Sequence, residues 1–199
     1  MKLIMATTNK DKVREIREML DGYDIDIVSL AEAGITAKIE ENGTTFEENA
    51  AIKAETIRDL TGQMVIADDS GLVVDAMDGG PGVYSARFMG ENTGYDVKCG
   101  AILKNLEGLE DEKRSARFIC AMALAYPKET GKETSIFKGI FEGRIAYEAK
   151  GENGFGYDPI FYVPEKERTS AELSPEEKNE MSHRGKALRL AVEELKKLM

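Results

Sequence analysis

The chain has 199 residues, a formal net charge of −10 and 42% apolar residues, enough to bury the core of one large domain or two small lobes. The negative charge disfavours a protein that holds long nucleic acid on a basic face, although it allows a local basic pocket. Mean hydropathy is −0.37 and no apolar run approaches the roughly 18 residues of a membrane span, so we expect no membrane helix.

The hydrophobic periodicity predicts strands and helices that alternate early, followed by a late hairpin. In chain order, the predicted elements are a strand over 2–6, a helix over 13–20, strands over 24–30 and 37–43, a helix over 44–60, strands over 64–68 and 71–77, a helix over 94–106, strands over 114–127, 133–148 and 160–163, and helices over 174–181 and 186–198. Thr45 and Ser174 are placed to cap two helices, and Gly185 is expected to interrupt the last pair. This pattern predicts one α/β unit with a mixed sheet flanked by helices.

The chain has few cysteine and histidine residues. Cys99 and Cys120 are the only cysteines and form no CxxC pair, so we expect two reduced thiols. His183 is the only histidine, which excludes a multi-histidine zinc site and allows a Ser-His-Asp triad only around that residue. The N-terminal stretch MKLIMATTNK is too short and too soon polar for a signal peptide, and we expect a cytoplasmic protein.

A polar loop, TTNKDK, lies between the first strand and the first helix. The free N–H groups of a helix N-terminus suit a phosphate. Thr7, Thr8 and Asn9 can add side-chain hydrogen bonds, and two lysines add positive charge. An ordinary N-cap and loop also explain the same residues. The stretch matches neither the GxxxxGK[ST] nor the GxGxxG phosphate-binding pattern.

Acidic residues form a second group of candidates. The stretch VIADDSGL places Asp68 and Asp69 directly after apolar residues, and a buried carboxylate needs a hydrogen-bond donor, a cation or a metal. Adjacent strand residues point to opposite faces, so at most one of the two can face a given pocket and the other holds local structure. Glu41 and Asp69 are hard oxygen ligands of the kind that Mg²⁺ takes beside waters and phosphates. Lys53 follows Asn49 by one helical turn, on the same face.

Two late blocks, GFGYDP and SHRGKA, complete the candidates. The glycines of the first block allow the backbone to approach a flat ligand, and Phe155 and Tyr157 can stack on a base. Core packing explains Phe155 equally well, and a satisfied core or surface histidine explains His183. Taken together, the polar stretches fit a nucleoside triphosphate better than any other ligand class.

Five blocks, in this order and spacing, resemble the Ham1-like inosine/xanthosine triphosphate pyrophosphatase family: ATTNKDKVREI, TFEENAAIKA, ADDSGLVVDAMDGGPGVYSARF, GFGYDPIF and ELSPEEKNEMSHRGKAL. The resemblance runs from near residue 5 to near residue 190 and is least clear over 128–148. One departure is Thr8, because many relatives carry a glycine in TGN at this point. Threonine lacks that backbone freedom but can still present its N–H group.

The resemblance implies an elongated mixed sheet with two lobes and a nucleotide groove between them, within one domain over 1–199. It implies a homodimer that depends on Mg²⁺ and hydrolyses ITP, dITP and XTP to the monophosphate and pyrophosphate, cleansing the nucleotide pool. Glu41 and Asp69 would bind the metal, with Asp69 also the general base, and Lys53 would contact phosphate. The residues implied to bind the nucleotide, the last two at the base, are Thr7, Thr8, Asn9, Lys10, Asp11, Lys12, Ser70, Phe155, Gly156, Tyr157, Asp158, Lys178, His183 and Arg184.

Two alternatives fit much of the same inventory. Another nucleoside triphosphate pyrophosphatase, such as a Maf-like enzyme acting on modified or pyrimidine nucleotides, would need a similar pocket. A nucleotide-binding regulator without turnover would need the phosphate and base contacts but not Glu41 and Asp69 together. A substrate panel separates the first alternative, and the release of pyrophosphate separates the second.

Overall fold

The structure is a computed structural model that describes residues 1–198. Its strands are β1 (Lys2–Met5), β2 (Asp26–Ser29), β3 (Val65–Val74), β4 (Ser115–Ala125), β5 (Ser135–Ile145), β6 (Phe161–Val163) and β7 (Arg168–Thr169). Its α-helices are α1 (Lys10–Met19), α2 (Phe46–Thr61), α3 (Tyr95–Asn105), α4 (Pro175–Met181) and α5 (His183–Lys196). Within the described residues, no helix combines the length and apolarity that a membrane crossing requires.

The strands form one sheet in the order β2-β1-β3-β4-β5-β6-β7. The first three strands are parallel, because β1 pairs in parallel with both β2 and β3. At the other end, β5 pairs with β6 and β6 with β7 in antiparallel fashion. The predicted α/β class, with a mixed sheet flanked by helices, is confirmed.

The chain divides into two compact units, each with its own hydrophobic core. Within the described residues, unit 1 comprises residues 1–69, 120–139 and 184–198, and unit 2 comprises residues 70–119 and 140–183. The core of unit 1 takes apolar side chains from β1, β2, α1 and α5, among others. The core of unit 2 takes them from α3, the first part of β4 and β6. The description of residues 1–199 as a single domain stays a prediction.

The helix signals read from the sequence are confirmed at two N-termini. Thr45 caps α2 with Glu48 in a capping box, and Ser174 caps α4 with Pro175 in the first turn. The expected interruption at Gly185 is wrong, because the helical geometry breaks at Ser182 and Gly185 lies inside α5. A glycine inside a helix costs about 1 kcal/mol relative to alanine, which tertiary packing can offset.

Two strand predictions differ from the structure. The segment 37–43 is not a strand, although half-buried and exposed residues alternate along it, because alternation reports one covered face and does not require a ladder partner. The expected strands over 64–68 and 71–77 are one strand, β3, so Asp68 and Asp69 lie within it and do not end it. Both carboxylates are also buried, so they need partners.

Candidate functional site

The TTNKDK loop forms the N-terminus of α1, and its side chains serve the backbone. Asn9 is the N-cap, and its side-chain oxygen accepts hydrogen bonds from the N–H groups of Asp11 and Lys12 at 2.9 and 3.3 Å. The hydroxyl of Thr7 accepts one from Asn9 N–H at 3.1 Å. Thr8 and Lys10 are exposed. The structural explanation of these residues thus holds, and phosphate binding by the loop stays a prediction.

Asp68 lies in a network of alternating charges within unit 1. Its Oδ2 is 2.9 Å from Nζ of Lys12 and 3.3 Å from Nη2 of Arg184, and Nη1 of Arg184 lies 2.6 Å from a carboxylate oxygen of Glu15. Burial alone would raise the pKa of Asp68, but the charges of Lys12 and Arg184 hold it below its usual range. The network holds two carboxylates and two cations, so its charges balance.

Asp69 belongs to a different cluster in the same unit. Nζ of Lys53, on α2, donates hydrogen bonds to Oδ1 of Asp69 at 2.8 Å and to Oε2 of Glu41 at 2.9 Å. The second oxygen of Asp69, Oδ2, is buried without a hydrogen-bond partner. Burial raises the pKa of Asp69, against the opposing charge of Lys53. The pKa of Lys53 is raised in turn, because the surrounding carboxylates outweigh its burial.

The carboxylates of Glu41 and Asp69 have the ligand chemistry that a hard divalent cation takes. No set of three or more His, Cys, Asp or Glu side chains within residues 1–198 is arranged to hold a metal ion. Mg²⁺, however, usually takes one or two protein carboxylates and completes its shell with waters and substrate phosphates. Glu41 and Asp69 outnumber the single ammonium of Lys53, and the unused Oδ2 of Asp69 is a free ligand atom.

The GFGYDP block forms a tight loop around Asp158 in unit 2. Oδ2 of Asp158 accepts hydrogen bonds from Phe155 N–H at 2.9 Å and from Nζ of Lys178 at 2.7 Å, and Oδ1 accepts one from Ser170 at 2.9 Å. Gly154 has a φ of +74°, and a Cβ there would collide with the Asp158 carboxylate. The glycine is therefore required by the loop itself, whatever ligand the loop meets.

The two aromatic residues of this block have different surroundings. Phe155 is half-buried, and Nζ of Lys178 lies 5.2 Å from the centre of its ring. Tyr157 is buried, its hydroxyl donates to the carbonyl of Ser85 at 2.8 Å, and its ring meets Tyr95 edge to face at 5.2 Å. Burial raises the pKa of Tyr157. Tyr157 thus anchors the loop, and Phe155 is the better placed of the two to stack on a base.

The lone histidine packs against an aromatic ring. His183 begins α5, is 5% exposed and stacks on Phe118 at 4.8 Å with an angle of 13° between the rings. A histidine that packs in the core would have this ring contact, so base recognition by His183 stays a prediction. Ser70, also expected to bind the nucleotide, is half-buried in β3.

The structure thus groups the predicted residues within each unit. In unit 1 it joins Lys53 with Glu41 and Asp69, and Lys12 with Arg184 through Asp68. Residues missed from the sequence are Glu15 and Ser170, which pair with Arg184 and Asp158. Glu15 is buried on α1 together with Val13 and Ile16. It lies at the edge of the apolar stripe that the sequence predicts, so no local signal marks it.

Known proteins resemble this chain over nearly its whole length. Residues 3–194 match the model of a family described as the Ham1 family. The chain belongs to the Ham1 family. A curated relative from Bacillus licheniformis, named dITP/XTP pyrophosphatase, is 54% identical over 187 residues, covering 94% of both chains. The Bacillus subtilis protein of the same name is 51% identical over 186 residues, or 94% of this chain and 92% of that one.

Solved structures show the same relationship for this Ham1 family member. The Staphylococcus aureus Ham1 protein superposes with a TM-score of 0.88 at 39% identity, covering all of both chains. A HAM1 protein from Coxiella burnetii superposes with a TM-score of 0.88 at 43% identity, covering 99% of each. The family assignment made from the five sequence blocks is confirmed.

Proposed function

We propose that this chain hydrolyses ITP, dITP and XTP to the monophosphate and pyrophosphate, with Mg²⁺ held by Glu41 and Asp69. One observation carries the proposal: Lys53 donates hydrogen bonds to the carboxylates of Glu41 and Asp69, and Oδ2 of Asp69 remains buried without a partner. Glu41 and Asp69 together carry more negative charge than Lys53 offsets, and this excess would repel the triphosphate of the proposed substrate. A divalent cation resolves that conflict, because it is attracted by the carboxylates and by phosphate oxygens alike.

The broader activity rests on the family. The chain is a nucleoside triphosphate pyrophosphatase acting on non-standard nucleotides, as the relatives named dITP/XTP pyrophosphatase at 54% and 51% identity and the family match over residues 3–194 support. Release of pyrophosphate places the scissile bond between the α- and β-phosphates. In the proposed reaction water attacks the α-phosphorus, the bond between that phosphorus and the bridging oxygen breaks, and pyrophosphate leaves.

Three residues have separate roles in the proposed reaction. The metal, when bound, supplies positive charge to the phosphate oxygens and to the attacking water. Asp69 would accept the proton of that water at the lone pair of Oδ2 that the metal does not use, since no protein group occupies this oxygen. Lys53 holds the other oxygen of Asp69 and so fixes the direction in which Oδ2 faces. Lys12 and Lys53 offset charge on the triphosphate.

Base recognition is assigned to the late blocks. Phe155 would stack on the purine, and His183 and Arg184 would donate hydrogen bonds to the 6-oxo group of hypoxanthine or xanthine. Adenine carries an amino group at this position, so its donor would face another donor. A site that depends on buried polar pairing rejects such a mismatch strongly.

The test is a substrate panel with purified protein. ITP, XTP, dITP, GTP and ATP are each incubated with Mg²⁺ and with a chelator, and pyrophosphate is measured against free phosphate. We expect pyrophosphate from ITP, dITP and XTP, little from GTP or ATP, and none with chelator. Cleavage of modified or pyrimidine nucleotides instead would favour a Maf-like activity, and tight binding of ITP without release would favour a regulator.

The homodimer and the cytoplasmic location stay predictions from the sequence. Sedimentation of the purified protein tests the first, and fractionation of cells tests the second.

A further inference from the structure

Asn49 is a fully buried polar residue that the proposed mechanism does not use. It lies in the first turn of α2 and is 0% exposed. Its Oδ1 accepts a hydrogen bond from Gly43 N–H at 2.9 Å, and this donor identifies the side-chain atom it meets as the oxygen. The amide nitrogen, Nδ2, is therefore the other end of the group, and it is buried without a hydrogen-bond partner.

The unused amide group argues against a purely stabilising role. A buried N–H donor without a partner has lost its water and gained nothing, which disfavours the folded state. An apolar side chain of similar shape would avoid that penalty. What Asn49 provides, and an apolar residue would not, is the acceptor for Gly43.

Gly43 belongs to the loop that carries Glu41, and this loop lies tightly on the start of α2. A Cβ at Gly43 would come within 2.7 Å of both Asn49 Oδ1 and Glu48 Cβ. The next residue, Thr44, donates its N–H to Glu48 at 2.6 Å. The loop is thus fixed to α2 immediately after Glu41.

Helix α2 also carries the ammonium that Glu41 contacts. Lys53 lies one turn after Asn49 on the same face, and its Nζ is 2.9 Å from Glu41 and 2.8 Å from Asp69. One helix therefore holds the Glu41 loop through Asn49 and the Glu41 carboxylate through Lys53.

We propose that Asn49 is a positioning residue for the cation site, because through Gly43 it fixes the loop that places the Glu41 carboxylate beside Asp69. The inference rests on the proposed function, in which Glu41 and Asp69 hold Mg²⁺. In this role Asn49 acts through Gly43 and not through a contact of its own with the cation.

The experiment compares Asn49→Leu, Gly43→Ala and the double variant. Mg²⁺ affinity is measured by calorimetry on the protein without nucleotide, together with the Mg²⁺ concentration that gives half-maximal pyrophosphate release. Loss of a group that orients a metal ligand typically weakens metal affinity by about 10- to 100-fold, and we expect about 10-fold in each single variant. Because both variants release the same loop, the double variant should be little weaker than either single one.

Two further variants separate positioning from stability. Thr61→Val removes a 2.7 Å hydrogen bond to Ile57 at the far end of α2, so it perturbs the same helix and should leave Mg²⁺ affinity unchanged. Asn49→Asp keeps an acceptor for Gly43. The Gly43 amide should be protected from hydrogen exchange in the wild type and in Asn49→Asp, and unprotected in Asn49→Leu.

Wild-type Mg²⁺ affinity in Asn49→Leu would overturn the proposal, as would single effects that multiply in the double variant. If Asn49→Leu does not fold, Gly43→Ala decides, and an unchanged Mg²⁺ affinity there overturns the proposal equally. Glu41→Gln separates the two levels of inference. If it loses Mg²⁺ while Asn49→Leu does not, only the role of Asn49 is wrong; if it binds Mg²⁺ normally, the proposed metal site fails and this inference with it.

Discussion

The two units each contain a buried aspartate–lysine pair, and the pairs differ in one oxygen. Asp158 meets Lys178 at 2.7 Å in unit 2, and Asp69 meets Lys53 at 2.8 Å in unit 1. Both oxygens of Asp158 accept hydrogen bonds from the protein, whereas Oδ2 of Asp69 has no partner. A carboxylate whose acceptors are all occupied holds a loop in shape. One with a spare buried acceptor is less favourable for folding and better suited to a ligand.

The lysines differ in the same sense. Lys178 lies over the ring of Phe155, whereas Lys53 meets a second carboxylate, Glu41. The cluster in unit 1 therefore has an excess of negative charge. Polar saturation and local charge, more than burial, distinguish the carboxylate proposed for chemistry from Asp158, which shapes its own loop.

The largest effect is expected from Asp69→Asn. Asparagine keeps the size of the side chain but cannot accept the proton of water, so turnover should fall by at least about 1,000-fold. The fold should survive, because Lys53 keeps Glu41 as a partner. Pyrophosphate release and circular dichroism measure the two quantities, and near-normal turnover would remove Asp69 from the mechanism.

Asp158→Asn should have the opposite effect to Asp69→Asn: a larger loss of stability and a smaller loss of turnover. Breaking a buried pair by removing one charge costs about 3 kcal/mol, because the buried Lys178 would lose the carboxylate that lies 2.7 Å from it. Urea unfolding should show a larger loss of stability than Asp69→Asn does. Residual turnover at saturating ITP should stay well above that of the Asp69 variant. If Asp158→Asn leaves stability intact, polar saturation does not mark a structural carboxylate.

Arg184→Ala tests whether a cation that already pairs with protein carboxylates also reads the base. We expect the preference for ITP over ATP, as a ratio of kcat/KM values, to fall about tenfold, which corresponds to about 1.4 kcal/mol of discrimination. Competition assays with both nucleotides measure the ratio independently of the active fraction. An unchanged preference would confine Arg184 to its contacts with Asp68 and Glu15.

Tyr157→Phe should have the smallest effect. It removes one buried hydrogen bond to the carbonyl of Ser85, worth about 1 kcal/mol of stability, and leaves the ring in place. Thermal unfolding measures the loss. A large rise in KM for ITP with unchanged stability would instead place the hydroxyl of Tyr157 in contact with substrate.

Much of the local structure follows from the sequence because its causes are local. Thr45 and Ser174 cap helices through groups three residues away, and apolar periodicity marks α2 and α5. The strand expected over 37–43 was wrong because pairing depends on a distant partner that no local pattern specifies. The sequence also predicts two strands where the structure has one, β3. The polar residues Asp68 and Asp69 interrupt the apolar pattern, although the strand continues through them.

The order of residues alone determined the family, the α/β class and the short set of polar side chains available for chemistry. That was possible because motif spacing and side-chain periodicity are properties of the linear chain. Tertiary structure decided which charges meet. Arg184 pairs with Asp68 and Glu15, which lie 116 and 169 positions away in the sequence, and Lys53 pairs with both Glu41 and Asp69. Adjacent aspartates in β3 acquired different partners because neighbouring strand residues face opposite sides. Only the folded chain therefore shows that Asp69 keeps a spare oxygen.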